Sequence, residues 1–142
     1  MRKLQTLSIL FFLLPVLLSG SVSPGLHRID GPLHTVTTVH VVCSRENRTM
    51  TRLYHAPRKM EKVLNYLRLL EDQGTADTDP ERLAGDRFEI TLYYSDGQQG
   101  IYRQRGDRYL SKNAHPWKKV DPDQARLLYP MLQAMPSDRK QI

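Results

Sequence analysis

Between Phe88 and Tyr94 the chain alternates, with Phe88, Ile90, Leu92 and Tyr94 on one side and Glu89, Thr91 and Tyr93 on the other. No other segment constrains the fold as tightly. A period of two fits a strand with one buried and one wet face, and it does not fit a helix. Ser95-Asp96-Gly97-Gln98 follows, and its Asp-Gly pair suits a tight hairpin turn. Residues 99–105 (QGIYRQR) then run back antiparallel, and Gly106-Asp107 reverses the chain again into residues 108–112 (RYLSK). The expectation is a three-stranded meander.

A hairpin precedes it. Residues 34–43 (HTVTTVHVVC) are rich in β-branched side chains and place Val39, Val41 and Cys43 on one face. After the polar stretch 44–48, residues 49–54 (TMTRLY) return as a second strand. Pro57 then opens a helix at the position where its missing N–H costs nothing. Met60, Val63, Leu64, Leu67 and Leu70 recur at spacings of three and four, so the pattern predicts an amphipathic helix over 57–72 closed by Gln73-Gly74. Residues 75–86 are acidic and rich in turn formers, and read as a loop.

Near the C-terminus, residues 117–120 offer a short edge strand. Asp121-Pro122-Asp123-Gln124 then has the N-cap acid, the first-turn Pro and the Gln of a helix start. Its stripe is Ala125, Leu128, Tyr129, Leu132 and Met135, with a kink expected from Pro130, and the polar tail beyond Pro136 should fray. The fold class read from these patterns is α+β: a small antiparallel sheet with two helices on one face, in the order ββαβββα.

The N-terminus concerns destination. Met1-Arg2-Lys3 is basic, residues 4–18 are almost wholly apolar, and Ser19-Gly20-Ser21 supplies small residues for cleavage. The apolar run is shorter than the roughly 20 residues of a membrane span. A signal peptide over 1–21 is therefore expected, then a Pro/Gly-rich linker over 22–33, one domain over 34–136 and a flexible tail over 137–142. Ser21 stands where a lipoprotein would carry its lipid-bearing Cys, so the chain is expected to be secreted or extracytoplasmic and not lipid-anchored, touching a membrane only through an uncleaved signal.

A single cysteine, Cys43, excludes any intramolecular disulfide, so the fold must hold by packing. The formal charge of +6 falls by the two charges of Arg2 and Lys3 to +4 after cleavage. Such a balance favours anionic surfaces such as envelope polymers, while the interleaving of bases with acids argues against nucleic acid.

Catalytic and metal motifs are weak throughout. The five histidines, His27, His34, His40, His55 and His115, show no helical pairing suited to a metal. Asp77, Asp79 and Glu81 alternate like calcium ligands, but Arg82 and Phe88 hold the sixth and twelfth positions, where a calcium loop needs Gly and Glu. There is no Gly-x-Ser-x-Gly and no phosphate-cradling glycine loop. No cofactor, metal or catalytic residue is assigned. A dispersed hydrolase site near His40, His55 or His115 is the least favoured alternative.

Two short motifs stand out beside these. Asn47-Arg48-Thr49 is a glycosylation sequon by letter, and Arg105-Gly106-Asp107 is an adhesion-type tripeptide on a hairpin tip. The strongest candidate surface gathers Tyr93, Tyr102, Arg103, Arg105, Asp107, Arg108, Tyr109 and Trp117 on the meander, interleaving rings with charges. The function expected is that of a non-enzymatic exported binding or accessory domain, acting on an envelope polymer or protein partner. A secreted inhibitor or adhesion-type ligand presented on hairpin tips is the alternative.

Three segments carry a family resemblance: KMEKVLNYLRLL, FEITLYYSDGQQGIYRQRGDRYL and WKKVDPDQARLLYPML. With these in this order, residues 36–135 resemble the small YhfM-like domains of exported proteins and lipoproteins of Gram-positive bacteria. The resemblance implies the fold and an extracytoplasmic location. It brings no catalytic residues, and the chain departs from the lipoprotein members in lacking the lipid-bearing Cys.

Overall fold

The computed structural model describes residues 35–139. The expected signal peptide and linker, His34 and residues 140–142 lie outside them. The described chain is a mixed α+β fold built on one antiparallel sheet of seven strands, ordered β2-β1-β4-β5-β6-β7-β3. These strands are β1 (Val36–Arg45), β2 (Arg48–Tyr54), β3 (Asp72–Thr75), β4 (Arg87–Tyr94), β5 (Gln99–Arg105), β6 (Tyr109–Lys112) and β7 (Lys118–Val120). The helices are α1 (Pro57–Leu69), between β2 and β3, and a C-terminal pair of short segments, α2 (Pro122–Ala125) and α3 (Leu128–Ala134).

The register assigns every sheet residue a face. Val39, Val41 and Cys43 of β1 stand opposite Leu92, Ile90 and Phe88 of β4, and Ile90 and Phe88 in turn oppose Tyr102 and Gln104 of β5. These residues are buried in one core with Val63, Tyr66 and Leu67 of α1, Leu70 just after it, and Leu128 and Leu132 of α3. Burial of this apolar set, at about 25 cal/mol per Å², is the main force holding a fold without a disulfide. The other face carries His40, Val42 and Ser44 of β1, Arg87, Glu89 and Thr91 of β4, and Ile101, Arg103 and Arg105 of β5.

The order of elements is longer than ββαβββα. Asp72–Thr75, expected to be a helix stop and loop, is a strand antiparallel to Lys118–Val120. Helix α1 accordingly ends at Leu69, and Gly74 (φ +113°) serves an irregular strand instead of closing the helix. Strand β7 lies between β6 and β3, so it is interior and not an edge. The C-terminal helix breaks ahead of Pro130. That proline cannot donate to the Arg126 carbonyl, and Leu127 N–H instead takes the tighter bond to the carbonyl of Gln124 at 3.1 Å.

Of the expected tail, Ser137 and Asp138 make contacts with β2 and α1, while residues 140–142 lie outside the described residues. Leu53 N–H donates to Ser137 Oγ (3.0 Å), Asp138 N–H donates to the Leu53 carbonyl (3.0 Å), and Lys59 Nζ reaches Asp138 at 3.0 Å. No helix among the described residues is long and apolar enough to cross a membrane.

Candidate functional site

Segment 76–86 shapes the outer face. It runs from β3 at one end of the sheet back to β4 near the middle, touching the outer side of β5 and β6 as it goes. Thr78 Oγ1 meets Tyr109 Oη at 3.5 Å, Arg105 Nη2 donates to Glu81 Oε2 at 2.9 Å, and Gly106 N–H donates to the Asp86 carbonyl at 2.8 Å. Asp79 caps a single 3-10 turn, Pro80–Arg82, and Pro80 is buried. The acidic loop is therefore a cover, and it leaves open only the part of the face over β2, β1, β4 and β5.

The eight expected surface residues divide among different environments. Tyr102, 1% exposed, belongs to the core, which corrects its assignment to the surface. Alternation decides this: Tyr102 pairs with Ile90, a core residue, so its side chain must share that face. Tyr109 and Arg105 are drawn under the crossing segment, and the Arg105 guanidinium lies 5.4 Å from the Trp117 ring centre. Asp107 pairs with Arg126 at 2.8 Å and Arg108 at 3.8 Å. Both charged ends of the Arg-Gly-Asp tripeptide are thus engaged within the domain. Tyr93 and Arg103 remain on the open part.

Two hollows occupy that open part. One, of about 250 Å³, is lined by Val42, Ser44, Arg87, Phe88, Glu89, Arg103 and Arg105. The other, of about 450 Å³ and shallower, is lined by Thr38, His40, Leu53 and Tyr93. In the first, Arg87 and Arg105 are directly opposite each other across β4 and β5, and Arg103 faces Glu89 one pair further along. Like charges directly opposite on a sheet repel. The Arg103 Nε to Glu89 contact is long, at 3.4 Å, and Arg87 forms no ion pair among the described residues. Arg105 Nε is buried without a hydrogen-bond partner among the described residues.

Sequence reasoning did not find Ser44, Arg87 or Glu81 as parts of this site. Arg87 and Glu89 share the wet side of the most regular strand, so that signal was present. The closure by Glu81 depends on where a loop crosses, which no local pattern encodes.

His40, His55 and His115 lie apart, on β1, after β2 and after β6. Among the described residues no group of three or more His, Cys, Asp or Glu side chains is arranged to hold a metal ion. Cys43, 1% exposed, has its thiol pushed up to about 11 by burial, with Asp86 adding to the effect and Arg45 opposing it. No family model, no curated protein and no solved structure matches this chain.

Proposed function

We propose that the chain is an exported, non-catalytic binding domain that takes an anionic partner, an envelope polymer or an acidic protein surface, on the open part of its outer sheet face. The observation that carries this reading is the gathering of Arg87, Arg103 and Arg105 along one hollow of the outer face, where Arg87 is the register partner of Arg105 and only Arg105 has a close carboxylate, Glu81 at 2.9 Å. Arg87 has no ion pair among the described residues and Arg103 holds Glu89 only at 3.4 Å, so an incoming anion would find cations ready to pair with it.

Support for a free outer face comes from the buried residues of α1 and α3, which share one cluster with Val39, Val41, Phe88 and Ile90 of the strands. Export rests on the basic, apolar and small-residue sequence of residues 1–21, and the resemblance to YhfM-like domains supports the same location.

The test is retention of the full chain on immobilised polyglutamate under a salt gradient. The double variant Arg87→Gln/Arg103→Gln should elute at clearly lower salt than the parent, because surface charge attraction is screened as ionic strength rises. Arg58→Gln/Arg68→Gln, on the exposed side of α1, removes the same charge and should elute close to the parent. Equal losses from both pairs would mean that net charge acts, and not this face.

A further inference from the structure

We propose that the hollow between β1, β4 and β5 binds a phosphate group, as the free ion or as an ester on a larger molecule. This rests on reading the outer sheet face as the binding face, and it adds which chemistry that face selects.

Three arginines line one small space. Arg87 comes from β4, Arg105 from the paired position on β5, Arg103 from the next outer position along β5, and Ser44 from β1, where it is the register partner of Arg87. Donor-bearing residues from three strands thus surround the space. A planar carboxylate uses donors best in its own plane, whereas the tetrahedral oxygens of a phosphate accept from several directions at once. A volume of about 250 Å³ accommodates one such group.

Arg105 supplies an independent observation. Its side chain is only 11% exposed, and Glu81 and Trp117 fix the guanidinium in place. Its Nε is nevertheless buried without a partner among the described residues, although Glu81 satisfies Nη2 of the same group. A buried charged donor left unmade is costly, and native structures rarely keep one without a use. Arg105 also lines the hollow, and a small movement of its side chain would offer this closed-off donor to an oxyanion there.

The existing carboxylates do not close the site. Glu89 and Glu81 each have side chains 49% exposed, and Glu89 holds Arg103 only at 3.4 Å. Phosphate, carrying more charge per group than either, competes for Arg103 on favourable terms.

The experiment titrates the full chain with inorganic phosphate at constant ionic strength, replacing chloride. It follows the arginine Nε–Hε signals by NMR and the fluorescence of Trp117, the only tryptophan in the chain. Saturable shifts of the Arg87, Arg103 and Arg105 signals are expected. Arg87→Gln should weaken binding about tenfold, the effect of losing one charge-assisted contact, with Ser44→Ala losing less. Arg68→Gln should change nothing, and acetate should bind more weakly than phosphate.

Glycerol 1-phosphate separates the two sources of the group: tighter binding than phosphate indicates an ester on a larger molecule, and equal binding indicates the free ion. Shifts no larger than those produced by chloride, or an Arg87→Gln variant that binds phosphate as the parent does, would overturn the proposal. If that happens while polyglutamate retention still depends on Arg87 and Arg103, only the phosphate assignment falls. If both fail, the face itself has been misread.

Discussion

The carboxylate of Asp138 accepts the backbone N–H of Ala56 at 2.7 Å, so the start of α1 is capped from the far end of the chain. Ala56 has no side chain able to cap, and the helix has no acid in its first turn. The same Oδ2 accepts from His55 N–H at 2.6 Å, and Lys59 Nζ lies 3.0 Å from the other oxygen. A residue at the C-terminal end thus takes the N-cap backbone N–H, the work usually given to the third-position Glu or Gln of a capping box.

Replacing Asp138 should therefore destabilise the domain out of proportion to its position. Asp138→Ala is expected to cost roughly 0.5–2 kcal/mol, the range for losing a side chain that satisfies amides at a helix start. Urea denaturation followed by circular dichroism measures it. The chain cut after Met135 should lose at least as much, and a cost near zero for both would show that the tail is ornamental.

The same residue sets an acid limit. Desolvation alone would raise the Asp138 carboxyl, but the Ala56 and His55 amides and Lys59 outweigh it and hold it at about 2, below its ordinary 3.8. A folded value below the unfolded one means the contribution is complete above about pH 4 and is lost as pH falls towards 2. Between those limits the parent should lose stability faster than Asp138→Asn, and parallel acid curves would contradict this.

Gln104 is a polar residue in an apolar core, and its bonds explain it. Tyr66 Oη donates to its Oε1, and its Nε2 donates to the carbonyls of Gly106 (2.9 Å) and Ala125 (3.2 Å). It therefore joins α1, the β5–β6 turn and α2. Gln104→Leu should cost about 2–4 kcal/mol, because it strands several buried polar groups at roughly 1–3 kcal/mol each. Tyr66→Phe, which removes one partner and keeps the ring, should cost less. Thermal or urea unfolding of the two variants gives the order, and the reverse order would refute this account of the network.

Gln104 also shows where sequence reading succeeded and where it failed. Phe88–Tyr94 and Val39–Val41–Cys43 were legible because each is purely apolar on one side. Strand β5 mixes its signals, with apolar Ile101 on the outer face and polar Gln104 on the inner. The local pattern therefore points Tyr102 to the surface, while its pairing with Ile90 puts it in the core. Tyr66 goes unrecognised as a core residue for a related reason, since its hydroxyl is satisfied by partners 38 and 59 residues away, Gln104 and the Ala125 carbonyl. Strands β3 and β7 are short and largely polar, and pair only because the fold brings them together. The open half of the candidate face could be read in part, through Tyr93 and Arg103. Its closure by Glu81 and Thr78 could not.

Cys43 should be inert in the folded protein. Buried at the register position facing Phe88, with its thiol at about 11, it presents almost no thiolate at neutral pH. A thiol reagent such as dithiobis-nitrobenzoate should label it only after denaturant is added, and the native chain should form no disulfide dimer on air oxidation. Rapid labelling of native protein would mean that β1 opens readily.

Binding through the open part of the outer sheet face is best measured by a hydrogen-exchange footprint of the full chain with and without polyglutamate. Backbone amides of β1, β4 and β5 are already bonded in the sheet, so the readout is best taken from the turns and segments that border the face. Added protection is expected at the β1–β2 hairpin and over residues 83–87, which flank Ser44, Arg87 and Arg103, with no change in α1 or α3. Protection confined to the helices, or none along this border at saturating ligand, would contradict it.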